Sequence, residues 1–373
     1  MPHSPPNRHE GRDGSSAAGD GGMLGVLVRL RITMSDSVRV PRMSTTGTFE
    51  AVHAVELAVS DRNGFVENRH IGSAVVLNPD GERLTSLGEP DAVVLPRSTL
   101  KPFQAIASLG AGAQLDDVQI AIATASHAGT AEHVAVVREV LARAGLSEDA
   151  LLCPPALPAD VDASAEVLRS GGTPAPVYME CSGKHAGMLA ACVASGWSIR
   201  DYIDPQHPLQ QHVKDVVERL TGEKVSHVAV DGCGAPVFAI TLAGLARGVQ
   251  RMAMSAQQSP FALYRTAATV YRCARENAWA ISGRGRPDTV LMETIGGYAK
   301  AGADGAMTMS ASDGTTVAVK VLGGSVPAAR VAALGLLMSV GAVAPDTGAL
   351  AMDRMGAVVT GGGAEVGRLR PVV

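Results

Sequence analysis

The chain has 373 residues, of which 46% are hydrophobic and 18% charged, with a formal net charge of −4. That composition supplies enough apolar side chain for a large core and excludes disorder along the whole length. The small negative charge and the lack of a long basic run argue against nucleic acid and anionic membrane surfaces as partners.

Residues 1–48 read as a disordered N-terminal extension, because Met1 to about Asp20 is rich in Pro, Ser, Gly, His and Arg with little to bury. The apolar run Met23–Ile32 is broken by Arg29 and Arg31 and is too short to span a bilayer. No small-residue cleavage pattern follows it, so a secretory signal is not expected. Met34 and Met43 are both reasonable translation starts. Five cysteines with no C-x-x-C pair suit free or metal-bound thiols in the cytoplasm.

Residues 49–373 are expected to form a single domain. Ala54–Ser60 and Gly72–Asn78 read as short strands around a turn, and Asn78-Pro79-Asp80-Gly81 marks the next turn. A helix is expected over Lys101–Gly110 and an apolar strand over Ile120–Thr124. Val134–Ala144 and Ala163–Ser170 carry helical spacing, with a Pro-rich loop at Cys153–Pro158 between them. Met188–Ser195 continues as an apolar helix and Pro208–Thr221 as an amphipathic one. Val225–Asp231 reads as a strand entering a Gly turn, Pro260–Ala278 as a helix and Gly283–Pro287 as a loop. Thr315–Leu322 alternates like a strand and Ala328–Val343 reads as a buried helix. An Ala/Gly/Val-rich C-terminal helix with few charges offers a possible homodimer face. Helices and strands mix without strict alternation, which predicts α+β layers over a doubly wound sheet. No G-x-G-x-x-G follows a strand and no Walker A pattern occurs, so nucleotide dependence is not expected.

Four segments could carry chemistry. In Pro96-Arg97-Ser98-Thr99-Leu100-Lys101-Pro102, Ser98 and Lys101 stand three apart, on one face if the segment is helical. A serine hydroxyl becomes a nucleophile when a neighbouring base takes its proton, and a lysine of depressed pKa can be that base. Pro102 disfavours helical dihedrals at Lys101. Alternatively, Ser98 is only an N-cap and Lys101 an exposed cation. Ser126-His127 begins a second segment, with His133 following, and reads equally as turn chemistry. The third segment, Cys181-Ser182-Gly183-Lys184-His185, and the fourth, Asp231-Gly232-Cys233-Gly234, each place a cysteine beside glycines. Two such thiols with a nitrogen donor could hold Zn²⁺ tetrahedrally and leave one position open, or could be inert buried thiols. Cys153, Cys192 and Cys273 lack polar company and read as core filling.

Together these segments resemble the asparaginase II family, the Rhizobium etli-type L-asparaginases. The resemblance rests on RSTLKPFQ at 97–104, TASHAGTAEH at 124–133, CSGKHAGM at 181–188, DGCGAP at 231–236, GRGRPDTVLM at 283–292 and GGYAKAGADG at 296–305. It implies a fold similar to serine β-lactamases and glutaminases, with a central, mainly antiparallel sheet flanked by helices. It also implies an L-asparaginase converting L-asparagine to L-aspartate and ammonia. Its catalytic pairs would be Ser98 with Lys101 and Ser126 with Lys300. The family's zinc ligands carry over to Cys181, Lys184 and Cys233, with water as the fourth. Arg97, His185 and Asp231 match substrate-site positions. The chain departs from the family at Asp304, where glutamate is expected, and in its long N-terminal extension.

Two kinds of alternative accompany this reading. Another serine amidohydrolase, a glutaminase or a penicillin-interacting hydrolase, also fits S-x-x-K. Against the penicillin-interacting class, S-D-N and K-T-G are missing, and Val319-Lys320-Val321 holds the nearest strand lysine. A non-catalytic zinc-stabilised protein would keep the metal without the reaction.

Overall fold

The structure, a computed structural model, describes residues 47–373, which form one compact unit. The extension expected over 1–48 lies outside the described residues except for Gly47 and Thr48.

Strands β1 (Val55–Arg62) and β2 (Phe65–Leu77) form a hairpin closed by Asn63-Gly64, whose φ angles are +49° and +82°. An Asn-Gly pair adopts two left-handed residues cheaply, so a two-residue turn sets Arg62 opposite Phe65. The strands therefore run through most of the stretch expected as a wide turn. β3 (Arg83–Leu87) pairs with β2, and β4 (Val93–Val94) follows.

A 3-10 turn over Arg97–Leu100 passes directly into α1 (Lys101–Gly110). Lys101 is helical, with φ −56° and ψ −36°, in spite of the proline after it. Pro102 lies in the first helical turn, where its missing N–H forfeits no bond. The expected strand at Ile120–Thr124 is instead α2 (Asp117–Ala123). Asp116 accepts from the Gln119 N–H while the Gln119 side chain accepts from the Asp116 N–H. This capping box starts a helix, and an apolar run that reads either way follows it.

α3 (Ala131–Arg143), α4 (Val161–Arg169), α5 (Ser182–Ser195) and α6 (Pro208–Thr221) come next. β5 (His227–Val230) and β6 (Pro236–Thr241) form a small antiparallel sheet with β4. Four helices follow: α7 (Leu242–Ala253), α8 (Ala262–Glu276), α9 (Ala278–Ser282) and α10 (Pro287–Ile295). The meander β7 (Tyr298–Gly302), β8 (Ala306–Ser310) and β9 (Thr316–Val321) leads to α11 (Val326–Ser339) and α12 (Pro345–Arg354). The hairpin β10 (Val358–Gly361) and β11 (Ala364–Pro371) completes the chain.

The main sheet runs β10-β11-β1-β2-β9-β8-β7, all antiparallel, with β3 also on β2. Every residue of β7 and β8 is buried, so both faces of the sheet are covered there. Helices α7 and α11 pack on its central strands. This is the expected α+β class, a central antiparallel sheet flanked by helices. The weakly charged C-terminal helix is α11, and its Leu334, Leu336 and Leu337 are buried in the core shared with the sheet. Truncating any one of them to alanine would cost ~2–5 kcal/mol. A second apolar cluster surrounds α3 and α5 and includes Cys181 and Cys233. Among the described residues, no helix is long and apolar enough to cross a membrane.

Candidate active site

Ser98 sits in the 3-10 turn ahead of α1, 8% exposed, and its hydroxyl bonds to no described residue. The residue before it, Arg97, has φ +56°, a left-handed conformation that costs a side-chain-bearing residue ~1–2 kcal/mol. Two carboxylates hold it there. Arg97 Nε donates to Asp231 Oδ1 at 2.6 Å, and a terminal nitrogen donates to Asp304. Burial opposes ionisation of Asp231, but the Arg97 hydrogen bond and the charges of Lys184 and Arg97 outweigh it. Its carboxyl is therefore held below the usual range. Asp304, in the β7–β8 turn, is itself left-handed at φ +55° and stands at the rim, 66% exposed.

β7 runs hard against the turn that carries Ser98. A Cβ added at Gly302 would lie 2.6 Å from the Pro96 carbonyl oxygen and 3.2 Å from the Thr99 methyl. Gly302→Ala must therefore push strand and turn apart, a small-to-large change expected to cost ~1–3 kcal/mol. A drop in the denaturant midpoint would read this out, and an unchanged midpoint would mean that strand and turn move freely past each other.

Ser126 begins the loop between α2 and α3, tied by its backbone N–H to the Ile281 carbonyl at 2.9 Å. Its hydroxyl oxygen accepts from two lysines. Lys101 Nζ donates to it at 2.8 Å and Lys300 Nζ at 2.9 Å. Both lysines are fully buried. Lys101 also donates to the Ala125 carbonyl at 2.6 Å, and Lys300 to the Ala301 carbonyl at 2.7 Å. A neutral amine has two N–H donors and one lone pair. With both donors occupied, each lysine in that form has its lone pair free for a proton. Burial, then the charge of Lys101, pushes the Lys300 ammonium down to about 8.

The structure thus brings Lys101, Ser126 and Lys300 into one hydrogen-bonded group, and Ser98 precedes Lys101 by three residues in the turn that leads into α1. The Lys101 amine donates to Ser126 and the Ala125 carbonyl, and only the Lys101 backbone N–H bonds Ser98, at its carbonyl. Lys320, the strand lysine considered above, points instead to the Asp304 carbonyl. Lys300-Ala301-Gly302 on β7 has a K-x-G pattern, with alanine where K-T-G has threonine.

Of the thiol cluster, Lys184 Nζ donates to Cys233 Sγ at 2.9 Å, with Cys181 beside them and all three buried. A hydrogen bond from Cys181, with the charge and hydrogen bond of Lys184, holds the Cys233 thiol below the usual range against the opposing effect of burial. The donor set fits a tetrahedral metal once Lys184 gives up its proton. Among the described residues, no group of three His, Cys, Asp or Glu side chains is arranged for a metal, so such a site needs the lysine. Its α5 backbone approaches α2 closely, because a Cβ at Gly183 would lie 2.4 Å from the Ile122 carbonyl oxygen. His185 is kept neutral by burial, its pKa lowered to about 3. Its Nδ1 bonds Tyr202 Oη at 2.7 Å, and its Nε2 is buried without a partner.

His127 is a residue whose role the sequence left open. Its Nδ1 accepts the Gly129 N–H at 3.1 Å, so its Nε2 donates to Ser182 Oγ at 2.9 Å. Burial lowers its pKa well below the ordinary value. The imidazole is a neutral brace between the Ser126 loop and α5.

Helices around an antiparallel sheet thus enclose a serine hydroxyl held between two buried lysine amines. The L-asparaginase II family matches residues 58–371, and the chain belongs to that family. Its activity is accordingly of the asparaginase type, an amidohydrolase acting on a small molecule. No curated protein matches the chain.

Proposed function

We propose that the protein is an L-asparagine amidohydrolase with a Ser–Lys-activated nucleophile. The observation that carries the mechanism is the Ser126 hydroxyl held between the Lys101 and Lys300 amines. Ser98 Oγ attacks the side-chain amide carbon of L-asparagine and passes its proton to the lone pair of Lys101. The oxyanion is met by backbone N–H groups at the start of the 3-10 turn, which have no helical partner. The C–N bond breaks as Ser126, relaying a proton between the two lysines, protonates the departing nitrogen, and ammonia leaves. Water, giving a proton back through the same relay, then cleaves the β-aspartyl ester, which releases L-aspartate and restores Ser98. Arg97, Asp231 and His185 hold the substrate, the first two by charge.

A second reading makes Ser126 the nucleophile, favoured by its two amine contacts against none for Ser98. Ammonia release from L-asparagine and L-glutamine tests the function. Turnover of neither by folded protein would overturn it, and equal turnover of both would widen the substrate class.

When bound, zinc would supply a positive charge next to Asp231, held by Cys181, Lys184 and Cys233 with water. Cys233→Ser is expected to lower the zinc-to-protein ratio at least tenfold, since a hydroxyl replaces the thiolate (on the order of tenfold or more). An unchanged ratio by elemental analysis would remove Cys233 from the ligands.

Lys300 must be neutral to take a proton, and burial, then the charge of Lys101, pushes its ammonium down to about 8. Below that pH the lone pair is occupied, so kcat/KM is expected to rise as pH increases through this range. A profile flat from about pH 6 to 9, or one unchanged in Lys300→Met, would take Lys300 out of the proton path. The five cysteines are free thiols, which supports a reducing, cytoplasmic setting.

A further inference from the structure

The sheet edge that carries Lys300 is held by a buried ion pair that the reaction above leaves unused. β7 pairs with β8 on one side only, so N–H groups on its other side must find partners outside the sheet. The Ala301 N–H finds Asp288 Oδ2 at 2.9 Å. Asp288 lies in the first turn of α10, 2% exposed, and its Oδ1 accepts from Arg330 Nε of α11 at 2.7 Å. A carboxylate this deep survives only where partners replace its water. Burial alone would raise its pKa, but the charges of Arg330 and Lys300 and the Ala301 N–H reverse that and keep it ionised. One of these partners is the main chain immediately after Lys300, on a residue whose carbonyl also receives the Lys300 amine.

We propose that Asp288 and Arg330 are a positioning pair for the reaction: the carboxylate clamps β7 at Ala301 and thereby fixes the Lys300 amine on Ser126. Neither residue touches substrate in this scheme. Arg330 acts through Asp288, and Asp288 acts through the strand. The kinetic half of the inference rests on the amidohydrolase reading, whereas the clamp itself rests on geometry alone.

The test compares full-length wild type with Asp288→Ala, Arg330→Met and Arg330→Lys, by amide hydrogen exchange over residues 298–302 and by ammonia release from L-asparagine. Asp288→Ala is expected to exchange about tenfold faster in β7 than wild type, with the other strands protected as before. Its kcat should fall about tenfold or more while KM changes little, because the substrate contacts remain. Arg330→Met should give a smaller effect of the same kind, and Arg330→Lys should recover most of it. If Asp288→Ala does not fold, Arg330→Met decides the matter, being the milder change. Wild-type exchange and wild-type kcat in Arg330→Met would overturn the proposal, as would a rise in KM at constant kcat. Faster β7 exchange in protein whose wild type releases no ammonia would retain the clamp and reject the proposed function.

Discussion

Ser98→Ala is expected to lower kcat on L-asparagine by ~10³-fold or more, about 4 kcal/mol of barrier, with the fold intact. The side chain is small, nearly buried and without a hydrogen bond, so its loss removes little but the attacking oxygen. Ser126→Ala tests the rival nucleophile in the same assay. With Ser98 as nucleophile, Ser126→Ala should retain measurable acyl-enzyme formation on Ser98, visible by mass spectrometry of the quenched protein. An adduct on Ser126 in wild type, or near-normal turnover by Ser98→Ala, would exchange the two roles.

Lys101→Met should be nearly as damaging, at ~10²–10⁴-fold in kcat, the span of a lost general base. Methionine preserves most of the buried volume and removes the amine that holds both the Ala125 carbonyl and Ser126. It also removes the amine whose protonated form depresses Lys300. The Lys300 pKa should therefore move up, and any residual activity should rise with pH at a higher value than in wild type. The same pH limb in both proteins would show that the two lysines do not sense each other.

Much of the architecture was readable where side-chain spacing alone decides the structure. Lys101–Gly110 and Pro208–Thr221 form helices with the expected ends. Ile120–Thr124 misled, because four apolar residues in a row suit a strand or a buried helix and only the Asp116 cap distinguishes them. β7 and β8 gave no strand signal. Apart from Tyr298 and Lys300 they are built of Ala, Gly, Ser, Thr and Met, and both faces are buried, so no alternation marks them. Within the site, Ser126 was a candidate from its own turn, but Lys300 and its pairing with Ser126 were reached only through the family resemblance, since nothing local joins residues 174 positions apart. Asp288 lay inside a quoted motif and still gave no hint, because an acidic residue after proline is ordinary first-turn composition. Its importance depends on a strand edge that only the tertiary structure creates.

The order of strands has a consequence for how the protein is made. β1 is flanked by β2 and by β11, with Ala58 opposite Pro371, so one of the first strands to leave the ribosome waits for the last. β2 likewise takes β9 as its neighbour. Pairings this distant in sequence make for slow folding, and until β9 and β11 have been made the β1–β2 hairpin exposes open strand edges able to recruit other chains. Emergence of β11, more than any local helix, is thus the event that permits the sheet to close, and chains stopped short of β11 should accumulate as aggregates.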